Sequence, residues 1–342
     1  MSLVSRVINS ALLKNDLKYG IKSLRVVEGI DADIKVSVYD IKTGLKANAN
    51  GKRTGWAASI IKLPVMISTL QEIEKGNLSL NTKLKKDSKY TLEYCDMIST
   101  LQEGTPVPIK TLLEYMITAS DNEATNMLAD KIGVQKINRS MWDLGLKRTM
   151  LGHLLCPNVP RYTSKFNPDG SNITCPNDMV KIMRHVYDGS FSKLSPKVRE
   201  LSDKYLSKTN PFYLNKGVFK KQKIKAKVGI ISDPKDGNDT HEVGIINDYL
   251  IVCIMLNKIN QKRLKENKSK KNTYSSSLNN LLYQSSYVKP GSLEETNQKN
   301  SCLDLFFGQE ESYFDDFFMP SGTSTIFNEL MDTIGLYTNK TI

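Results

Sequence analysis

Two stretches with strand character stand far apart in this chain, and nearly everything between them reads as helix. Ile34–Asn50, IKVSVYDIKTGLKANAN, predicts two strands joined by a Lys-Thr-Gly turn. Strand character resumes only at Lys223–Ile231, KIKAKVGII, and at His241–Asn257, HEVGIINDYLIVCIMLN, where Asn247-Asp248 signals a hairpin. From Ser59 to about Leu206 the apolar spacing is mainly helical, broken by Pro-rich and Gly-rich loops. A sheet built from two distant parts of the chain must accommodate the helices inserted between them. The expected fold class is therefore α/β: an antiparallel sheet flanked by helices, with an inserted all-α lobe and a cleft between the lobes. The expected domain spans 20–290, with an α/β lobe at 20–56 and 207–290 and a helical lobe at 57–206. Residues 1–19 read as a separate amphipathic segment and 291–342 as a partly disordered tail. No internal repeat is visible.

Three short polar signals fall within this frame. Ser59-Ile-Ile-Lys62 opens SIIKLPVMISTLQEIEKGN, a helical pattern with Gly76 as its stop. A serine hydroxyl needs a base within hydrogen-bond reach, and Lys62 lies one turn along the same helix face. The N-terminus of such a helix also offers free N–H groups to a developing oxyanion. Ser120-Asp121-Asn122 sits between two amphipathic stretches, on a short interhelical loop. From there Ser120 can relay a proton, while the Asn122 amide can hold both Lys62 and a substrate carbonyl. Lys227-Val228-Gly229 lies in a strand, where Gly229 lets a ligand backbone approach. Lys227 adds positive charge, and the N–H of Ile230 can complete an oxyanion hole with that of Ser59. Capping and turn-forming roles are the structural alternatives for the serines, Asp121 and Asn122.

The three signals lie 61 and 107 residues apart, and in that order and spacing the chain resembles the penicillin-recognising serine hydrolases, most closely class A β-lactamases. The local context agrees over roughly residues 20–290: WAASIIKLPVM resembles the family's nucleophile helix, LQEGTPVPIKTLLEYMITASDNEATNML the helices that follow, and EVGIINDYLIVCIMLN the strand pair after the third motif. The resemblance implies catalytic Ser59, Lys62 and Ser120, with Asn122, Lys227, Gly229 and Ile230 binding substrate. It implies no cofactor and no metal, and His153, His185 and His241 show no metal-ligand spacing.

Three departures bear on substrate rather than fold. Class A enzymes carry a loop glutamate that activates the deacylating water, yet Thr149–Pro176 contains none, and its only acid, Asp169, lies near the loop's end. Val228 replaces the hydroxyl residue of the family's third motif. Val243 stands before Gly244, where the family often has arginine. Two carboxylate contacts are thus missing, which argues against rapid penicillin hydrolysis and leaves attack by Ser59 intact.

Charge and cysteines bound the setting. The 291–342 tail holds nine acidic residues against Lys299 and Lys340, so the rest of a chain of net charge +12 carries 46 basic and 27 acidic side chains. The lysines are dispersed and no nucleic-acid motif appears, so no specific nucleic-acid partner is expected. No window reaches the ~20 apolar residues of a membrane span. The first 21 residues lack the continuous apolar core of a secretory signal, and five widely spaced cysteines suit a reducing compartment, a cytoplasm or an organelle interior. Cys156 and Cys175 flank the glutamate-free loop and can pair on oxidation. In the tail, Leu303–Phe318, LDLFFGQEESYFDDFF, alternates acidic and aromatic residues, a pattern suited to docking on a protein partner and equally to a loose terminus. Leu278–Lys289 is the candidate for a closing helix. Two functional readings remain at this stage: a serine hydrolase acting on a small-molecule or peptide amide or ester, and a degenerate relative that keeps the cleft for binding.

Overall fold

The computed structural model describes residues 3–26, 31–92, 97–156, 159–216, 219–231, 238–259 and 323–338. Its centre is a five-stranded antiparallel sheet in the order β2-β1-β9-β8-β7, made of β1 (Asp33–Asp40), β2 (Lys46–Ala49), β7 (Ile224–Ile231), β8 (Asn238–Ile246) and β9 (Leu250–Ile259). The first two strands pair with the last three through β1 and β9, from Asp33 opposite Asn257 to Asp40 opposite Leu250. The connection between β8 and β9 follows its sequence signal: Asn247 and Asp248 have φ of +51° and +61°, the left-handed pair that a tight hairpin turn of the primed type requires.

The two faces of the sheet bury different partners, as alternation along each strand demands. One face, with Ile34, Val36, Val252, Ile254 and Leu256, packs under two helices, α1 (Leu3–Val26) and α8 (Thr323–Thr338). Helix α1 contributes Leu13, Leu17, Ile21 and Leu24, spaced by four, four and three residues, so all lie on one stripe. Helix α8 contributes Ile326, Phe327, Leu330, Met331 and Ile334, and Phe327 stacks on Tyr213 at 4.3 Å between ring centroids.

These two helices lie across and beyond the expected domain edges. The N-terminal segment does not stop at residue 19: the helix runs on to Val26 and covers the sheet. Within the expected 291–342 segment the described part, Thr323–Thr338, is a helix that packs beside α1. Its apolar spacing, which burial makes decisive, lies inside a segment whose acidic charge points the other way. The closing-helix candidate 278–289 and the acidic-aromatic stretch 303–318 lie outside the described residues.

The other face carries Val243, Ile245, Cys253 and Met255 and belongs to the core of the helical lobe. That lobe contains α2 (Lys62–Glu74), α3 (Ile109–Thr118), α4 (Asn122–Ile132), α5 (Val134–Asp143), α6 (Pro176–Tyr187) and α7 (Pro196–Leu206), with two short strand pairs, β4 (Lys83–Lys85) with β5 (Pro106–Pro108) and β3 (Gly55–Trp56) with β6 (Ile173–Thr174). Helix α2 is buried along nearly its whole length, with Leu63, Val65, Met66, Ile67 and Leu70 enclosed. Pro64 sits in its first turn, where a missing N–H leaves no bond unmade. Among the described residues no helix is long and apolar enough to cross a membrane.

Candidate active site

Ser59 does not open the α-helix, as its sequence pattern suggests. It lies in a short 3₁₀ turn, Ala58–Ile61, and α2 begins at Lys62. Ala58 before it has φ +45°, a left-handed conformation that costs an L-residue about 1–3 kcal/mol and persists only where neighbours enforce it. Ser59 itself is half-buried, and Lys62 is fully buried at 0 % exposure.

The Ser120-Asp121-Asn122 triplet occupies the turn between α3 and α4. Ser120 also has a left-handed φ, +56°. Asp121 is the N-cap of α4: its Oδ1 accepts the Ala124 N–H at 2.7 Å and its Oδ2 the Ile98 N–H at 2.9 Å, so the capping alternative holds for the middle residue. Its neighbours point at Lys62. The Lys62 ammonium donates to Asn122 Oδ1 at 2.7 Å, lies 3.0 Å from Ser120 Oγ and also meets the Ser120 carbonyl.

Lys227 arrives from the other lobe, on edge strand β7. Its Nζ lies 3.0 Å from the same Ser120 Oγ and donates to the Val228 carbonyl at 2.8 Å. Two lysines from opposite lobes therefore converge on one hydroxyl. Burial, and then the charge of Lys62, hold Lys227 well below the ordinary lysine range, with Glu242 opposing. Glu242 is fully buried and accepts the N–H groups of Phe212, Tyr213 and Leu214 at 2.8, 2.7 and 2.7 Å. Burial raises its pKa, and those three bonds pull the other way. No motif marks this glutamate, which ends the polar run Asn238–Glu242 at the head of β8.

Gly229 touches the turn that carries Ser59. A Cβ there would lie 2.9 Å from the Ser59 nitrogen, 3.0 Å from that of Ile60 and 3.1 Å from the Ala58 Cβ. Ile230 follows on the same strand, partly exposed and paired with Thr240. The fold thus brings Lys62, Ser120, Asn122 and Lys227 into one hydrogen-bonded group, with Gly229 against the Ser59 backbone and Ile230 next on the strand.

The altered positions are explicit in the geometry. Val228 packs against the core under α1 and α8, and Val243 is buried opposite Lys227. The glutamate-free loop is tied down by amide side chains. Asn126 Oδ1 of α4 accepts the Leu155 N–H at 2.6 Å, and Asn172 Oδ1 accepts those of Gly152 and His153 at 2.8 and 3.1 Å. Asp169 is occupied locally by Ser171 at 2.8 Å. Cys156 and Cys175 are both buried free thiols, so the pairing considered from sequence is not formed.

A sheet of split strands with an inserted helical lobe, and a serine, two lysines and a second serine at their junction, define the architecture of the penicillin-recognising serine hydrolases. The chain belongs to the beta-lactamase enzyme family, whose model matches residues 20–285. Among curated proteins it is similar to beta-lactamase VEB-1 of Pseudomonas aeruginosa, 24% identical over 217 residues that cover 61% of this chain and 69% of that one. Among solved structures it is similar to PBP-A, with a TM-score of 0.61 and 21% identity over 78% of this chain and 97% of that chain. It also resembles a β-lactamase from Sphaerobacter thermophilus, with a TM-score of 0.57 and 17% identity over 81% and 98%. These structural likenesses establish the fold.

Proposed function

We propose that this protein is a serine hydrolase that cleaves an amide, peptide or ester bond, β-lactams included, through an acyl-enzyme on Ser59. The observation that carries this reading is the convergence of Lys62 and Lys227 on Ser120 Oγ, each at 3.0 Å, with Asn122 on Lys62 at 2.7 Å. A purely structural role does not explain two cations sharing one hydroxyl in a buried place. Like charges so close favour loss of one proton from the pair, which is what a lysine base requires.

In this mechanism Ser59 Oγ attacks the carbonyl carbon and its proton passes to Lys62. The tetrahedral oxyanion is received by the N–H groups of Ser59 and Ile230. Ser120 then passes a proton to the leaving nitrogen or oxygen as the bond breaks, while Asn122 and Lys227 hold the substrate. Water later cleaves the Ser59 ester. The loop holds no glutamate to activate that water, and its one acid, Asp169, is bonded to Ser171; this supports slow deacylation of a penicillin-binding, peptidase-like kind. A solved point mutant of PBP-A is described as an acyl-enzyme complex with penicillin G, which makes a persistent Ser59 ester a natural expectation here.

The test is intact-mass spectrometry after incubation with a fluorophosphonate and, separately, with a fluorescent penicillin, on wild type and Ser59→Ala. One adduct per chain, absent from the variant, supports the reading. If neither probe labels the wild type, the alternative of a catalytically degenerate binding protein takes its place.

A further inference from the structure

A second buried polar cluster lies on the same face of the sheet as Lys227, a few residues from Ser59, and none of the roles above uses it. Asn257 of β9 is its hub. Its Oδ1 accepts from the Lys35 ammonium at 2.5 Å, and its Nδ2 donates to Asp239 Oδ2 at 2.8 Å and to the Trp56 carbonyl at 3.2 Å. Lys35 also pairs with Asp33 at 2.9 Å, and Asp33 with Arg53 at 3.1 Å. The Trp56 carbonyl receives a second bond, from His241 Nε2 at 2.8 Å. A carbonyl only accepts, so Nε2 carries the proton and the orientation of the ring is fixed. Lys35, His241 and Asn257 are all buried, with exposures of 0, 0 and 4 %. The backbone of Gly55 lies directly on the cluster, since a Cβ there would come within 2.3 Å of Asn257 Oδ1 and 2.7 Å of Lys35 Nζ.

Burying this much polarity is costly, and a hydrophobic trio of similar volume is often as stable. The position of the cluster gives it a purpose. Trp56 is three residues before Ser59, and between them stands Ala58 in its left-handed conformation. His241 is also the register partner of Gly229, the residue whose backbone abuts the Ser59 and Ile60 nitrogens. One histidine thus joins the strand that carries the oxyanion site to the segment that delivers the nucleophile. Downstream of Trp56, the turn is further held by the Ala57 N–H, which donates to the Asn172 carbonyl at 2.8 Å.

Resting on the reading of Ser59 as nucleophile, we infer that His241 and Asn257 are positioning residues: their paired bonds to the Trp56 carbonyl hold the strained Ala58 turn, and with it the Ser59 hydroxyl and amide, in the attacking geometry. Release of that carbonyl lets Ala58 relax toward the right-handed region and swings Ser59 away from β7. Preorganisation of this kind acts on the rate of acylation rather than on substrate affinity.

The test compares two amides at one position. In His241→Gln the side-chain nitrogen reaches the place of Nε2 and can still donate to Trp56; in His241→Asn it is too short. Both keep a polar group of modest size. The expected result is a fluorophosphonate acylation rate within about threefold of wild type for His241→Gln and at least about tenfold lower for His241→Asn, with the concentration for half-maximal rate unchanged. Hydrogen–deuterium exchange of the peptide over 56–62 reads the same geometry without any chemistry at Ser59, and it should be faster in His241→Asn than in His241→Gln. Equal acylation by the two amides, whether near wild type or below it, overturns the inference. If wild type itself is not acylated, the Ser59 reading fails, and exchange then decides the strut alone: equal exchange in the two variants overturns it.

Discussion

Replacing Gly229 with alanine is the sharpest test of how closely β7 approaches Ser59. The added Cβ would sit 2.9 Å from the Ser59 nitrogen and 3.0 Å from the Ile60 nitrogen, where ordinary contact begins at 3.4 Å. Both neighbours are backbone atoms and cannot rotate away. The turn or the strand must therefore move by about 0.5 Å, the shortfall between those distances. Overpacking of this kind costs about 1–3 kcal/mol, which in a domain of this size lowers Tm by roughly 2–10 °C. The larger effect falls on chemistry. A misplacement of about 1 Å can cost ~10²-fold in rate, so about half that displacement should cost on the order of tenfold in acylation. The assay is the time course of fluorophosphonate labelling by intact mass, with thermal denaturation on the same sample. Wild-type labelling rate at wild-type stability would refute the claim that β7 abuts the Ser59 amide.

Further expectations follow from named contacts. Lys62→Met should lower labelling of Ser59 by about 10²-fold or more, the usual worth of a proton acceptor, in the same mass assay. Phe327→Ala should cost about 3–5 kcal/mol in urea unfolding, because it empties a fully buried site stacked on Tyr213; a cost below about 1 kcal/mol would mean that α8 does not close the sheet. His241 is pushed down to about 4 by burial, from 6.5. Below pH 6.5 the unfolded chain takes up a proton that the folded chain refuses, so this contribution is fully present above pH 6.5 and is lost as pH falls to 4. The loss is about 3 kcal/mol. Glu242, raised by burial, works in the opposite sense as its unfolded-state value is crossed. The measurement is therefore the difference between wild type and His241→Gln in urea midpoint at about pH 7 and about pH 4, which should shift in favour of the variant at the lower pH.

Much of this architecture was legible from residue order. The split strands, the Asn247-Asp248 hairpin and the helical insertion are local signals, written in apolar period and turn chemistry, and the three polar motifs announce themselves by type and spacing. Local pattern misread what depends on packing. SIIK looks like the start of a helix, yet Ser59 sits in a 3₁₀ turn after a left-handed Ala58, where Gly229 and the partners of the Trp56 carbonyl crowd that segment from distant strands. The apolar stripe of α8 is present in the sequence but lies within an acidic segment that reads as a partly disordered tail.

What residue order determined by itself is which groups are available: a serine and a lysine one turn apart, a second serine with an asparagine, a lysine before a glycine, and a loop without glutamate. Spacing along a helix or strand is short-range geometry, and the chain carries it wherever it goes. Only the tertiary structure decided that Lys62 and Lys227, 165 positions apart, share one hydroxyl, and that Glu242 lies buried on three backbone N–H groups beneath them. It alone also placed Asn257 and His241 on the Trp56 carbonyl, with Lys35 beside them. Such contacts join strands whose register is set by burial of their alternate faces, and that register depends on every strand and helix closing together.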